Sequence, residues 1–321
     1  MRNIAILAGG YSSEREVSIG SGHMILEAID KSLFNAYLID VRKQEWIHVA
    51  GNASCKVNKD DFSLVLNNEK ITFDAAIIMI HGTPGEDGKL QAYFELLGIP
   101  YSTCDVLTSA LTFNKYFCKK YLASPRVPMS EAILYRKIAD VDHNHVARQI
   151  GFPCFVKPNN GGSSCGISKV NKPEELLPAL EDAFLEDAEV IVESFIPGRE
   201  LTCGLMIGQR ELVFPVCEVI PGNDFFDYDA KYTDGKAMEV VPADITPEIE
   251  NACKSLSIEI YKRLNCKGIV RIDYILNQDK FFFLEVNTVP GMSKNSIVPK
   301  MIRAAGYEVK HILTELIGDM I

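Results

Sequence analysis

Two short apolar runs, each stopped by glycine, constrain this chain more than any other feature. Residues 4 to 8 read IAILA and meet Gly9-Gly10, and Ile77 to Ile80 are all apolar and meet His81-Gly82. A strand that is apolar on both faces has to be covered on both faces, which is the signature of a parallel sheet sandwiched by helices. Between the runs a helix is expected to begin after Ser13. Ser13 and Glu16 form an S-x-x-E capping box, and Val17, Ile25, Ala28 and Ile29 supply an inward stripe. The first hundred residues therefore read as an α/β unit, which the chain leaves through LGIPYSTC with a boundary near Cys104.

The pattern then changes. A helix is expected around Ser109 to Ala123, followed by a proline-containing break from Ser124 to Pro128. Strand-like segments come next: CFVKP, ISKV, EVIVESF, LTCGLMI and LVFPVCEVI, with turns short enough for antiparallel hairpins. Residues 221 to 247, with Gly222, Gly235, Pro242 and Pro247, read as a long connection rather than a strand, and such loops inside compact domains are often functional. A helix from Pro247 to Leu264 precedes two strands, GIVRIDYIL and KFFFLEVNTV, joined by the tight turn Asn277-Gln278-Asp279-Lys280. The expected class is mixed α/β and α+β in three units: 1–104, 105–195 and 196–321.

With 321 residues, 47% apolar and 24% charged, the chain can bury a core spread over two or three domains. A formal charge of -10 without any basic stretch offers no footprint for nucleic acid. No apolar run approaches the ~20 residues that cross a bilayer, so no membrane partner is expected. The opening MRNIAILAGG is too brief for a secretory h-region. Nine cysteines without a C-x-x-C pair argue against a disulfide framework or a zinc site and for a reducing cytoplasm. Small-molecule chemistry is what remains.

The late hairpin carries the strongest chemical signal. Residues two apart in a strand share a face, so Arg271 and Asp273 point together from one strand and Glu285 and Asn287 from the next. Asp, Glu and Asn are hard oxygen donors suited to Mg²⁺. The same residues would also make a surface ion-pair cluster on a solvated hairpin. After Lys157, residues 159 to 166 hold three glycines and two serines between short strands, a run whose N–H groups can fold over phosphates beside a lysine. Taken alone it also fits a flexible hairpin tip. No G-K-[ST] follows, so it is not a Walker A loop.

Together with VIVESFIPGRE these segments resemble the ATP-grasp nucleotide site, in which two antiparallel units clamp ATP. GGYSSEREVSIGSG at 9 to 22, HGTPGEDG at 81 to 88, VKPNNGGSSCG at 156 to 166, DAKYTDG at 229 to 235, VRID at 270 to 273 and LEVNTVPGMSKNSIVP at 284 to 299 are similar, in order, to the motifs of D-alanine:D-alanine ligases. The resemblance spans nearly the whole chain. It departs from many relatives at Asn160-Gly161, where an Arg-Glu pair is common, and at Cys165.

The resemblance implies an ATP-grasp fold and a set of roles. Lys115, Lys157, Ser164 and Lys231 would meet the nucleotide phosphates, Glu193 with the Phe195-Ile196 backbone the adenine, and Glu200 the ribose. Asp273, Glu285 and Asn287 would hold two Mg²⁺ ions, with Mn²⁺ as an alternative. Glu14 would take the ammonium of the first D-alanine, and its expected place in a first helical turn favours its ionised form. His81 would lie beside that substrate, Ser296 would meet a substrate carboxylate, and Ser163 and Tyr232 would bond with Glu14 and close a lid. Arg271 and the Gly291 N–H would stabilise the oxyanion. The implied reaction makes D-alanyl-D-alanine for peptidoglycan precursors from ATP and two D-alanines through an acyl phosphate, in a cytoplasmic homodimer. A D-alanine:D-lactate ligase and a non-catalytic nucleotide sensor are the alternatives. A dinucleotide oxidoreductase is disfavoured because no G-x-G-x-x-G follows the first strand.

Overall fold

The computed structural model describes residues 1–50, 53–162, 165–221 and 237–321. The N-terminal unit opens with β1 (Arg2–Gly9), α1 (Arg15–Ala28), β2 (Phe34–Val41), β3 (Trp46–Ala50) and β4 (Ala53–Lys56). A small hairpin, β5 (Leu64–Leu66) and β6 (Glu69–Ile71), precedes β7 (Ala75–Ile78) and α2 (Lys89–Leu97). The sheet order is β4-β3-β2-β1-β7, with β1 parallel to both β2 and β7. The two apolar runs thus lead to neighbouring parallel strands, β1 inside the sheet and β7 at its end, and Ile4, Ile6, Ile77 and Ile78 are fully buried. Beyond β2 the sheet continues with antiparallel strands that carry no comparable apolar signal.

The expected capping box does not form. Helix α1 takes Glu14 as its N-cap residue with no side-chain cap bond. Its buried face is only in part the aliphatic stripe anticipated: Ile25 and Ile29 are buried, Val17 and Ala28 are only half-buried, and Ser18, Ser21 and Gly22 are covered as well. The hydroxyls explain the difference. Ser18 Oγ accepts from the Gly9 N–H at 2.8 Å and donates to the Met79 carbonyl at 2.6 Å, so the helix is tied to both strand ends by polar bonds. Close approach requires Gly22, where a Cβ would come within 2.6 Å of Ala8 Cβ.

The single helix expected from Ser109 to Ala123 is two, α3 (Val106–Phe113) and α4 (Lys115–Leu122). Asn114 interrupts them with an extended ψ of 100° and caps α4 by accepting from the Phe117 N–H at 2.9 Å. Next come β8 (Ala132–Tyr135), α5 (His143–Gln149), β9 (Cys154–Pro158), β10 (Ser168–Val170), α6 (Leu176–Glu186) and β11 (Val190–Ser194). These four strands make an antiparallel sheet of order β10-β9-β11-β8.

The last sheet holds β12 (Arg199–Ile207), β13 (Glu211–Val213), β14 (Cys217–Pro221), β15 (Ala237–Val240), β16 (Ile269–Asn277) and β17 (Lys280–Asn287) in the order β15-β14-β12-β16-β17, with β13 on β12. LVFPVCEVI is therefore two strands, parted where the Phe214 N–H donates to the Gly204 carbonyl at 2.9 Å. Part of the expected long connection is also strand, since Ala237–Val240 pairs with β14. Helix α7 (Pro247–Arg263) packs on this sheet, capped by Thr246. The turn into β17 puts Gln278 and Asp279 at φ of 46° and 62°, the left-handed pair of a type I′ hairpin. Two helices close the chain, α8 (Ile297–Ala304) and α9 (Val309–Met320). Their Val298, Met301, Ile302, Leu313 and Ile317 share one core with Ile4, Ile6 and Ile25, so the two ends of the chain are packed together.

Candidate active site

The hairpin pairing brings the four polar residues of β16 and β17 into register. Arg271 lies opposite Asn287, and Asp273 opposite Glu285. Asp273 is almost fully buried and saturated: Arg271 binds it in a fork (Nε to Oδ1 2.9 Å, Nη2 to Oδ2 2.8 Å), Asn287 Nδ2 donates to Oδ2 at 2.9 Å, and Thr202 Oγ1 donates to Oδ1 at 2.5 Å. Burial works against the Arg271 charge, but Asp273 outweighs it and the pKa goes up. Glu200, two residues before Thr202 on β12, shares this face. This is no solvated surface cluster.

Lys115 joins that cluster to the glycine loop. Its ammonium donates to the Gly161 carbonyl at 2.6 Å and pairs with Glu285 Oε2 at 3.1 Å. The helix break makes this possible: the Lys115 N–H donates to the Asn159 carbonyl at 3.1 Å and Asn114 bridges Asn160, so α4 begins against the loop. Burial disfavours the Lys115 charge, yet Glu285 beside it raises the pKa.

The loop reaches Glu14 from the other side. A Cβ on Gly162 would stand 2.7 Å from Glu14 Oε2, and one on Gly82 would be 3.9 Å from the same oxygen. The carboxylate therefore sits between the glycine loop and the His81-Gly82 turn. Cys165 Sγ lies 3.6 Å from Ser13 Oγ, a second contact between loop and N-terminal unit. Ser163, Ser164, Lys231 and Tyr232 lie outside the described residues.

His81 is 5% exposed and its Nδ1 lies 2.9 Å from the Val289 carbonyl. A carbonyl only accepts, so Nδ1 carries the proton and Nε2 presents a lone pair, with Ser21 Oγ at 3.5 Å. Burial lowers its pKa, and the ring is neutral at pH 7. It ties the end of β7 to the segment after β17. On that segment a Cβ at Gly291 would be 3.0 Å from Ser296 Oγ, which pairs with Ser293 Oγ at 2.7 Å at the start of α8.

The third cluster lies between β9 and β11. Glu193 is paired with Lys157 (Oε2, 2.6 Å) and with Lys119 (Oε1, 2.5 Å). Burial pushes its pKa up, but the two ammonium groups more than reverse this and hold it at about 2. Phe195 follows at the strand end, its ring under the Lys169 ammonium at 4.8 Å, and its N–H is engaged by the Pro153 carbonyl at 3.3 Å. Ile196 beside it is half-buried.

Three participants escaped the sequence reading. Thr202 faces Asp273 across β12 and β16, a pairing visible only once those strands are known to be neighbours. Lys119 stands four residues after Lys115, on the same helical face, and that spacing was the available signal. Glu86 lies within HGTPGEDG: it accepts from the Gly82 N–H at 2.7 Å, and burial together with Glu14 pushes its pKa up to about 8.

With this geometry the comparisons with known proteins are direct. The profile described as D-ala D-ala ligase C-terminus matches residues 126–318, and that described as D-ala D-ala ligase N-terminus matches residues 3–104. The chain belongs to the D-alanine–D-alanine ligase family. It is 45% identical over 321 residues to the D-alanine–D-alanine ligase of Phocaeicola vulgatus, covering 99% of each chain. That of Flavobacterium johnsoniae is 41% identical over 319 residues, covering 99% of this chain and 98% of the relative. Among solved structures, the VanG D-Ala:D-Ser ligase from Enterococcus faecalis superposes with a TM-score of 0.90 at 32% identity, covering 100% of this chain and 99% of that one. The D-alanine–D-alanine ligase from Bacillus anthracis complexed with ATP gives 0.80 at 28%, covering 100% and 97%. The fold is ATP-grasp, and the chain is an enzyme of a family of ligases that form carbon–nitrogen bonds.

Proposed function

We propose that this ligase condenses two D-alanines at the expense of ATP, and that the cleft between the Arg271 cluster, Lys115 and Glu14 is where it does so. The carrying observation is that, among the described residues, the cations expected to meet phosphate or oxyanion are each held by a carboxylate: Lys115 by Glu285, Lys157 by Glu193 and Arg271 by Asp273. These pairs keep three buried charges compensated, and an incoming nucleotide would exchange partners with them.

The carboxylate of one D-alanine attacks the γ-phosphorus of ATP and ADP leaves, giving an acyl phosphate. The neutral amine of a second D-alanine attacks its carbonyl, the tetrahedral oxyanion collapses, and phosphate departs carrying the proton that the new amide nitrogen sheds. Glu14, between Gly82 and Gly162, binds the first ammonium. Arg271 and the Gly291 N–H face the oxyanion, and Ser296 orients a substrate carboxylate. His81, as a neutral ring, positions the Val289 to Gly291 segment rather than carrying a proton. Lys115 and Lys157 bind phosphate oxygens. Glu200 and the Phe195-Ile196 backbone seat the nucleoside.

Asp273, Glu285 and Asn287 form an all-oxygen donor set on adjoining strands, which fits Mg²⁺ or Mn²⁺. Such ions, when bound, neutralise the transferring phosphoryl group. The three units 1–104, 105–195 and 196–321 meet around this cleft in the same reading. Ser163, Ser164, Lys231 and Tyr232 complete it from the loop and lid, supported by the motif resemblance. A cytoplasmic homodimer is the form in which the enzyme would work.

Incubation with ATP, Mg²⁺ and a panel of D- and L-amino acids and D-lactate, with products identified by mass, tests the reading. D-serine belongs in the panel because of the likeness to the D-Ala:D-Ser ligase. D-alanyl-D-alanine as the main product with stoichiometric phosphate is expected. A main product other than this dipeptide, or no D-alanine-dependent phosphate release, would overturn it.

A further inference from the structure

Two of the three carboxylate–cation pairs in the cleft have an obvious exchange partner, and the third does not. Glu285 and Asp273 belong to the oxygen donor set, so when Lys115 or Arg271 turns to substrate another cation can take its place. Glu193 is on β11, outside that set. It is 4% exposed at the side chain, and if Lys157 left it for a phosphate a buried carboxylate would lose its partner. Lys119 supplies the difference. Its side chain is 3% exposed, its ammonium lies 2.5 Å from Glu193 Oε1, on the oxygen Lys157 does not use, and it donates to Ser130 Oγ at 2.6 Å.

We propose that Lys119 is a positioning residue, the permanent counter-ion of Glu193 that releases Lys157 to bind nucleotide phosphate. One carboxylate faces two ammonium groups, and the two are not equivalent. Lys119 projects from α4, is enclosed, and is fixed by a second partner in Ser130. Lys157 is on β9, in the strand that leads into the glycine loop, with 12% of its side chain exposed. Only Lys157 has access to a ligand. With Lys119 in place, the move of Lys157 to phosphate leaves Glu193 paired and ionised, able to keep accepting a hydrogen bond from the adenine side. Without Lys119, Lys157 is the sole cation at Glu193 among the described residues and stays there.

The inference rests on the reading of Lys157 and Glu193 as nucleotide-binding residues, and the test separates the two. The readout is the ratio of ADP affinity to adenosine affinity, measured calorimetrically on the full chain without divalent metal, because it reports the phosphate contribution and cancels losses at the base. In Lys119→Met the ratio is expected to fall tenfold or more. The double variant Lys119→Met with Glu193→Gln, in which no carboxylate retains Lys157, is expected to restore it to within threefold of wild type. A role in packing alone would lower both affinities together and would not be rescued by Glu193→Gln. Lys119→Gln, which keeps a donor toward Glu193 without the charge, is expected to behave as Lys119→Met and serves if the latter does not fold. An unchanged ratio in Lys157→Met would sink the nucleotide reading itself. A lowered ratio in Lys157→Met with an unchanged ratio in Lys119→Met, or no rescue in the double variant, would overturn the role of Lys119 alone.

Discussion

Glu285 and Glu86 show how the same side-chain type does opposite work in two environments. Glu285 pairs with Lys115 and shares a face with Asn287. Glu285→Gln keeps the shape and removes the charge, so turnover is expected to fall by at least about a hundredfold, while loss of a partly buried pair costs roughly 1 to 3 kcal/mol of stability. Circular dichroism should show the fold intact; near-wild-type activity at limiting Mg²⁺ would refute the metal assignment. Glu86 is instead pushed from 4.5 up to about 8 by burial and by Glu14. Between those values the folded chain keeps a proton that the unfolded chain has lost, so this residue makes stability fall as pH rises from about 4.5 to 8. Wild type is therefore expected to lose about 1 to 3 kcal/mol more than Glu86→Gln between pH 5 and 8 in denaturant titrations without nucleotide. Parallel stability curves for the two proteins would disprove the assignment.

At the scale of elements, the glycine loop works by closeness rather than by its own side chains. Gly162 has no unusual φ, so an alanine there would not strain the backbone; its Cβ would simply arrive 2.7 Å from Glu14 Oε2. Gly162→Ala is expected to raise the KM for the first D-alanine about tenfold or more with little change in melting temperature, because either the loop or the carboxylate must move by several tenths of an ångström. Unchanged KM values would show that the contact plays no part in binding. The break at Asn114 is the second such device. A continuous helix would have carried Lys115 past the loop on a rigid rod, whereas the interruption starts α4 at Asn159 and Asn160.

Across the whole molecule the shared core of the two chain ends decides stability. Leu313 on α9 is 1% exposed and lies in one cluster with Ile6 and Ile25 of the N-terminal unit. Leu313→Ala is expected to cost about 2 to 5 kcal/mol, and the N-terminal sheet should unfold with the rest in one transition. Separate transitions in scanning calorimetry would show that the two ends are energetically independent. The same packing holds the His81-Gly82 turn beside Val289, which is how an α/β unit and a β hairpin nearly two hundred residues later come to line one cleft.

What the sequence by itself determined is whatever depends on neighbours along the chain. Strand periodicity placed Arg271 with Asp273 and Glu285 with Asn287, and the apolar runs marked β1 and β7, because side-chain direction in a strand is a local property. The family motifs carried the activity, since their order along the chain is itself one-dimensional information. Tertiary structure alone decided the pairings that cross elements. Ser13 lost its capping role and Val17 part of its burial because Ser18 and Ser21 found partners on strand ends and on the segment after β17. Thr202 became a partner of Asp273 through sheet order, and Lys119 became the second cation at Glu193 because α4 packs beside β11. A buried charge is tolerated only where another arrives to meet it, and no local pattern records which one will.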